Sequence, residues 1–561
     1  MAIADKGDLE MANNKPIGKL LEEAGYINDE QIEVALAVQK VEKKFFGEIL
    51  QELDFVSSSE VAEVLAMQYH VEYIDLDTVV PEKEALESIP EEIALSKIVL
   101  PLETRDGKLI VATQDVNDLM LTDFLQKTAG KPIEYRVADK QKIIHYAQIY
   151  YYQLENPIEK KIAAITEDIK AGRAVDIETL LNMVLNNAIK DKATDIHITP
   201  QAATLHIFYR LDGVLKHYYA LPVSIHHQLV AKIKIASNLD IAEQRKPQDG
   251  GFAYTFLTEE FDLRVSTLPT NHGENIVMRL LGKSGSLFSL HRLGFSEENV
   301  KKIEYYFSKP YGIILVTGPT GSGKTTTLYS ALRKVDSLKK NILTIEDPIE
   351  YKFAFIKQTQ VNDKAGYTFD AAIRAFMRQD PDVMLVGEIR DPQTAELAIR
   401  ASITGHLVLT TLHTNDAVGA IPRLIDLQVP PYLVGSGLLA ILAQRLVRKL
   451  CRYCKHPVEV PKTDLVALGI PEYMLKNKDK IKIYEAVGCE HCRYTGYAGR
   501  EAIIEILEVD KDIEEMITSG ESVLGIQQKA ISKGMHLMKE DGFRKVLEGV
   551  TTIEEVYRVV S

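Results

Sequence analysis

Tryptophan is absent from this 561-residue chain, cysteine occurs four times, and positive charge is in deficit. The 66 Lys and Arg stand against 80 Asp and Glu, for a net charge of −14. That balance excludes a chain whose main work is to coat nucleic acid, while leaving local basic patches open. The cysteines, Cys451, Cys454, Cys489 and Cys492, fall in one carboxy-terminal stretch, where a secreted disulfide framework would spread them more widely. The opening Met-Ala-Ile-Ala-Asp-Lys-Gly-Asp-Leu-Glu lacks the apolar core of a signal peptide. The longest uncharged run, Leu427 to Gln444, is broken by Pro430, Pro431, Gly435 and Gly437 and cannot make a membrane span. These absences predict a cytoplasmic chain with no membrane span of its own. What is present is ordinary for a soluble globular protein: 46% hydrophobic and 26% charged residues, enough for three to four domains of about 150 residues.

The first 70 residues contain a repeat. Gly18, Leu21, Ile27, Leu36 and Gln39 recur, each shifted by 29, as Gly47, Leu50, Val56, Leu65 and Gln68. Each copy, within 15–68, predicts a short helix, a break near Gly25 or Asp54, and a longer helix capped by Asn28 or Ser57. Residues 73–152 mix short strands such as Lys108–Ala112 with helices, which completes an amino-terminal domain over 1–152. Residues 153–174 are charged and carry Pro157; they read as an exposed linker or linking helix. A middle α+β domain spans 175–287. In it a hairpin centred between Asn271 and His272 sets Arg264 opposite Arg279 on one face, two like charges that are unfavourable neighbours unless an anion lies between them.

From 288 to 561 the texture becomes that of a parallel sheet buried on both faces. Apolar runs at Ile313–Val316, Ile342–Ile345, Val383–Val386 and Leu407–Leu409 each lead into polar, glycine or acidic clusters, the place where open α/β sheets bind ligands. The first run leads into Gly318-Pro319-Thr320-Gly321-Ser322-Gly323-Lys324-Thr325-Thr326, which matches G-x-x-x-x-G-K-[ST] ahead of a helical stretch. Glycines let backbone N–H groups wrap phosphates, and the helix N-terminus adds positive potential. Lys324 would reach the β- and γ-phosphates of a nucleotide, and the Thr325 hydroxyl would bind Mg²⁺. The next strands deliver Glu346-Asp347-Pro348, Gly387-Glu388-Ile389-Arg390-Asp391, and Thr410-Thr411-Leu412-His413, with His406 just before the last strand. Any one of these polar groups alone is most simply a surface residue; four strands ending in them beside a phosphate loop point to catalysis.

Taken together, Gly318 to Thr326, Thr344 to Glu350, Gln379 to Asp391, and Thr404-Gly-His with Thr411 to Asp416 resemble the Walker A, Asp box, Walker B and His box of the secretion ATPase superfamily. The likeness is to the type II secretion and type IV pilus assembly ATPases. Asp195-Ile-His197, Arg210 to Gly213 and Arg245 to Gly250 resemble that family's middle domain. The resemblance implies a RecA-like core preceded by a PAS-like middle domain, in a homohexameric ATP-hydrolysing motor that uses Mg²⁺. It makes Glu388 the leading catalytic carboxylate and Glu346 a second candidate, with His413 and His406 sensing the nucleotide phosphates. It also makes Arg264 and Arg279 fingers for the γ-phosphate, of the same subunit or a neighbour. The implied partner is an inner-membrane platform protein, with pilin or pseudopilin subunits assembled and the chain recruited to the membrane's inner face through proteins only. The rival readings are a nucleic-acid translocating motor and a weakly hydrolysing nucleotide-responsive scaffold.

The paired C-x₂-C knuckles suit a closed tetrahedral Cys₄ zinc site in a subdomain over about 448–500, and a closed site is structural. Arg445, Arg448, Lys449, Arg452 and Lys455 flank the first knuckle and read as a solvated helix or subunit contact in preference to a nucleic-acid surface. By resemblance, the retraction counterparts lack the cysteine insert, which points to extension or secretion. The amino-terminal repeat resembles the MshEN domain, which in some relatives binds cyclic di-GMP through Arg-Leu-Gly motifs. Here Pro16-Ile17-Gly18 and Phe45-Phe46-Gly47 stand in those places. The helices survive better than the ligand site, which favours a docking module over a cyclic di-GMP receptor.

Overall fold

The structure, a computed structural model, describes residues 15–282, 290–475 and 478–560. The signal-peptide reading of residues 1–10 and the boundary between 287 and 288 lie outside them. The described residues form two compact units, one of 15–51 with 56–282 and the other of 52–55 with 290–560.

The repeat, in the first unit apart from 52–55, forms α1 (Ile17–Glu23), α2 (Asp29–Val41), α3 (Phe46–Glu52) and α4 (Ser58–Tyr69). Asn28 and Ser57 cap α2 and α4, and Gln31 and Glu60 reciprocate to the cap N–H groups, so both longer helices begin with a capping box. Gly25 and Asp54 turn the chain at positive φ, 73° and 55°. The repeated glutamines have a shared use: Gln39 donates to the Lys44 carbonyl and Gln68 to the Lys15 carbonyl, sites that are themselves 29 apart. Next come β1 (Val99–Arg105), β2 (Lys108–Thr113) and β3 (Ile133–Val137), with β1 antiparallel and β3 parallel to β2. Helix α5 (Lys140–Glu155) follows. The segment expected as an exposed linker or linking helix is in part a helix, α6 (Ile158–Lys170), whose Ile158 and Ile162 are buried in the core of the domain that follows.

That domain has α7 (Ile177–Lys190) and α8 (His226–Ala236) with six strands: β4 (Asp195–Pro200), β5 (Thr204–Leu211), β6 (Val214–Pro222), β7 (Gln248–Phe256), β8 (Glu259–Thr270) and β9 (Gly273–Gly282). They form an antiparallel sheet ordered β6-β5-β4-β9-β8-β7. Ile196, Ile198, Val265 and Met278 enter the core, and alternation leaves the intervening residues on the opposite, polar face.

The second unit opens with α9 (Glu297–Phe307) and continues with β10 (Gly312–Thr317), α10 (Lys324–Leu332), β11 (Ile342–Glu346), β12 (Lys357–Gln360), β13 (Val383–Val386), α11 (Pro392–Ile403), β14 (Leu407–Leu412) and β15 (Leu438–Leu450). A hairpin, β16 (His456–Pro461) with β17 (Lys480–Glu485), precedes β18 (Tyr497–Glu508), α12 (Met538–Leu547) and α13 (Ile553–Val560). The main sheet is ordered β12-β11-β13-β14-β10-β15-β18, parallel except that β18 runs against β15. The four apolar runs are its central strands and are buried along their length. Among the described residues no helix is long and apolar enough to cross a membrane.

Candidate active site

Strand β10 ends at Thr317, whose hydroxyl meets the Thr414 hydroxyl at 2.7 Å and accepts from the Thr414 N–H at 2.9 Å. The neighbouring strand β14 is thereby tied to the root of the loop. Gly318, Gly321 and Gly323 have φ of 147°, 79° and 86°, values that side chains resist, and Gly323 is the residue ahead of α10. Pro319 and Thr320 form the outer turn, and Ser322 is buried with its Oγ unpartnered. Lys324 opens α10, and its Nζ donates to the Gly318 and Pro319 carbonyls at 2.9 and 3.0 Å. Burial lowers its ammonium to about 8, with the Glu388 charge opposing. This geometry suits phosphate oxygens: a helix N-terminus, a lysine donating to loop carbonyls, and a buried hydroxyl with no partner among the described residues. Thr325, exposed in the first turn of α10, is open to a cation, and Thr326 follows it.

Glu388 leaves β13 at the same edge of the sheet. Its carboxylate pairs with Arg390, and His413 Nε2 lies 3.4 Å away. Arg390 also reaches Asp347 at 3.5 Å, bridging the clusters that follow β11 and β13. Glu346 is different. It is buried at the end of β11, where Oε1 accepts from Thr344 at 2.6 Å and Gln358 at 3.2 Å, and Oε2 accepts from the Tyr329 hydroxyl. His406 is not brought to this edge. It precedes β14, roughly 20 Å back along that strand, with Nδ1 2.9 Å from the Ala401 carbonyl oxygen.

Arg264 and Arg279 belong to the first unit, where β8 and β9 pair them directly as the hairpin reading requires. Arg279 Nε donates to Asp195 Oδ1 at 2.9 Å, and Arg210 Nε lies 3.5 Å from Asp195 Oδ2. One carboxylate therefore sits among arginines on the sheet's polar face.

The four cysteine sulfurs lie within 4.8 Å of one another. Cys451–Cys489, Cys454–Cys492 and Cys489–Cys492 are 3.8, 3.7 and 3.8 Å apart. A tetrahedral zinc with Zn–S near 2.3 Å needs sulfurs about 3.8 Å apart, so the set fits. Gly488, Cys489 and Gly496 aim N–H groups at Cys454 and Cys492 Sγ from 3.1–3.2 Å. Burial would raise the Cys492 thiol, but the Cys489 and Gly496 N–H groups, with the neighbouring Cys454 and Cys489 thiols, outweigh it and hold it at about 7. The basic residues beside the first knuckle, expected on a solvated helix or at a subunit contact, lie on and just after the strand β15, and Arg448 is spent internally on Glu555 at 2.8 Å.

Sequence reasoning missed Tyr329 and Gln444 and placed Arg390 in its cluster without a role; Gln444 is taken up below. It carries a signal after the fact, as a polar residue that follows the apolar run Leu438–Ala443 in a buried strand.

The family model described as Type II/IV secretion system protein matches residues 170–558, and that of the MshEN domain matches 69–157, the strand-bearing part after the repeat. The type IV pilus assembly ATPase PilB of Myxococcus xanthus (strain DK1622) is 38% identical over 559 residues, 96% of this chain and 98% of that protein. The type II secretion system ATPase E of Vibrio cholerae serotype O1 (strain ATCC 39315 / El Tor Inaba N16961) is 47% identical over 382 residues, 68% of this chain and 74% of its own. Among solved structures, the Yersinia pseudotuberculosis ATPase DotB superposes with a TM-score of 0.50 at 22% identity, over 69% of this chain and 94% of its own, a likeness of fold.

Proposed function

The chain belongs to the type II/IV secretion system protein family, is an ATPase of secretion and pilus systems, and, we propose, works as a homohexameric ring. In this reading ATP hydrolysis powers extension of a type IV pilus or a type II secretion pseudopilus through an inner-membrane platform protein. The chain is cytoplasmic and is held to the membrane's inner face by protein contacts. One observation carries the reading: β10, β13 and β14 deliver Gly318–Thr326, Glu388 and His413 to one edge of one sheet.

The loop N–H groups and Lys324 bind the phosphates of ATP, and Thr325 would hold Mg²⁺, whose charge would offset that of the phosphates. Glu388 accepts the proton of the attacking water, and Arg390 and His413 orient its carboxylate. Glu346 fixes β11 against α10. Arg264 and Arg279 meet the charge that grows on the γ-phosphoryl oxygens, where planar permanent cations suit best. His406 has no part in this chemistry. The four cysteines hold structural zinc. Pro16 and Phe45 replace the stacking arginines of a cyclic di-GMP motif, and the Phe45 ring is 80% exposed, which suits a docking surface.

The test is Mg-ATP turnover by the full chain and by Lys324→Ala, with and without DNA. We expect turnover that DNA leaves unchanged and that the substitution lowers by a factor on the order of 10² or more. Stimulation by DNA would favour the translocating motor, and turnover no faster than in Lys324→Ala would favour the scaffold.

A further inference from the structure

Gln444 lies on β15, next to the last residue that pairs with β10, and its side chain is 1% exposed. Its Nε2 donates to the Ser322 carbonyl at 2.8 Å and its Oε1 accepts from the Thr327 hydroxyl at 2.7 Å. Ser322 belongs to the phosphate loop and Thr327 to the first turn of α10, so one buried amide spans the junction between them. A backbone carbonyl only accepts, so the amide NH₂ must face Ser322 and its oxygen is left for the hydroxyl. The loop also closes around this residue sterically. A Cβ at Gly318 would come within 2.4 Å of the Gln444 backbone oxygen, and one at Gly323 within 2.8 Å of Nε2.

In a planar trans peptide the C=O and N–H point in opposite directions. Holding the Ser322 carbonyl against Gln444 therefore turns the Gly323 N–H away from β15, to the open side of the loop. Gly323 sits at φ 86° and has no side chain with which to fix that peptide itself. We propose that Gln444 is a positioning residue for nucleotide binding, fixing the Ser322–Gly323 peptide so that its N–H is presented to the phosphates. This rests on the reading of residues 318–326 as the phosphate site of an ATPase. Without the amide the glycine loop samples other peptide orientations, and apparent affinity falls with the competent fraction. Because Gln444 acts through the loop, its loss falls on affinity and KM more than on kcat.

The test compares the full chain with Gln444→Leu, Gln444→Asn and Thr327→Val by Mg-ATP binding, steady-state kinetics and thermal unfolding without nucleotide. Gln444→Leu is expected to weaken binding and raise KM by about tenfold, with kcat within about threefold of wild type. Gln444→Asn, one methylene shorter and still polar, gives the same loss and serves where the leucine disrupts folding. Thr327→Val, which keeps the bond to Ser322, loses only about threefold. Wild-type affinity in both Gln444 variants overturns the proposal. So does an equal loss in Thr327→Val, because packing of α10 on β15 would then be the cause. Lys324→Ala is run alongside. If it loses ATP while both Gln444 variants match wild type, only the Gln444 assignment fails; if wild type itself does not bind ATP, the ATPase reading fails and takes this proposal with it.

Discussion

Glu346 is buried beside Tyr329, Thr344 and Gln358, so each of its carboxylate oxygens already accepts a hydrogen bond. A general base must reach the water it activates, and Glu346 is buried with its carboxylate held by three donors that tie β11 to α10 and β12. Glu388 is partly exposed, with Arg390 and His413 beside its carboxylate. Glu388→Gln should therefore lower kcat by a factor on the order of 10²–10⁴ while ATP still binds and the melting temperature stays within about 2 °C. Glu346→Gln instead turns an amide NH₂ toward groups that donate. It should cost about 1–3 kcal/mol of stability, read as a melting temperature lower by a few degrees, with turnover still measurable. The reverse pattern would exchange the two roles. Both carboxylates were legible in the sequence as acids following apolar strands. Ranking them was not, because Tyr329 lies on a helix that precedes β11 and only the fold brings its hydroxyl to Glu346.

Strand β15 shows what periodicity can and cannot decide. Leu442, Leu446 and Leu450 recur every four residues, a spacing that satisfies a helical stripe and one face of a strand equally well. Hydrogen bonding to β10 on one side and β18 on the other settles it as a strand, information that lies far away in sequence. The α/β core was legible because its strands are continuous apolar runs, and the repeat because its caps and glutamines recur in register. Over α6 the sequence leaves an exposed linker or a linking helix open, because its charges mask the two isoleucines that it buries. The same strand carries a prediction. Arg448 and Arg558 both bond the buried Glu555 carboxylate, and Arg448 stacks 4.2 Å above the Tyr497 ring. Burial alone would raise the Glu555 pKa, but the two arginines outweigh it and hold it at about 2, against 4.5 for a free glutamate. A depressed carboxylate contributes stability above its unfolded pKa and loses it as pH falls toward the folded one. Glu555→Gln should therefore cost about 3 kcal/mol at pH 7, with the difference shrinking below about pH 5 toward pH 2. Urea unfolding at pH 7 and pH 3.5 checks this; an equal cost at both would mean that the loss is of packing, not of charge.

At the scale of the whole chain, the phosphate loop and the paired arginines belong to different compact units. A site that needs both depends on how the units of one subunit, or of neighbouring subunits in a ring, come together. Arg264 and Arg279 are cross-strand neighbours of like charge, and Asp195 bonds Arg279. Removing Arg264 relieves that repulsion and leaves the Arg279–Asp195 bond in place, so Arg264→Ala should fold at least as stably as wild type. An arginine that acts on the γ-phosphoryl group is worth on the order of 10³–10⁵ in rate. The prediction is a kcat lowered toward that extent in Arg264→Ala, with ATP binding retained and the melting temperature unchanged or raised. If the ring assembles the site, wild-type turnover per chain should also rise with protein concentration and level off once sedimentation shows a single hexameric species, whereas the variant should assemble equally and stay slow. Turnover that ignores concentration but collapses in Arg264→Ala would place the arginine on its own subunit's nucleotide. Turnover that ignores both would leave Arg264 and Arg279 as charges on the sheet's polar face and remove the finger model altogether.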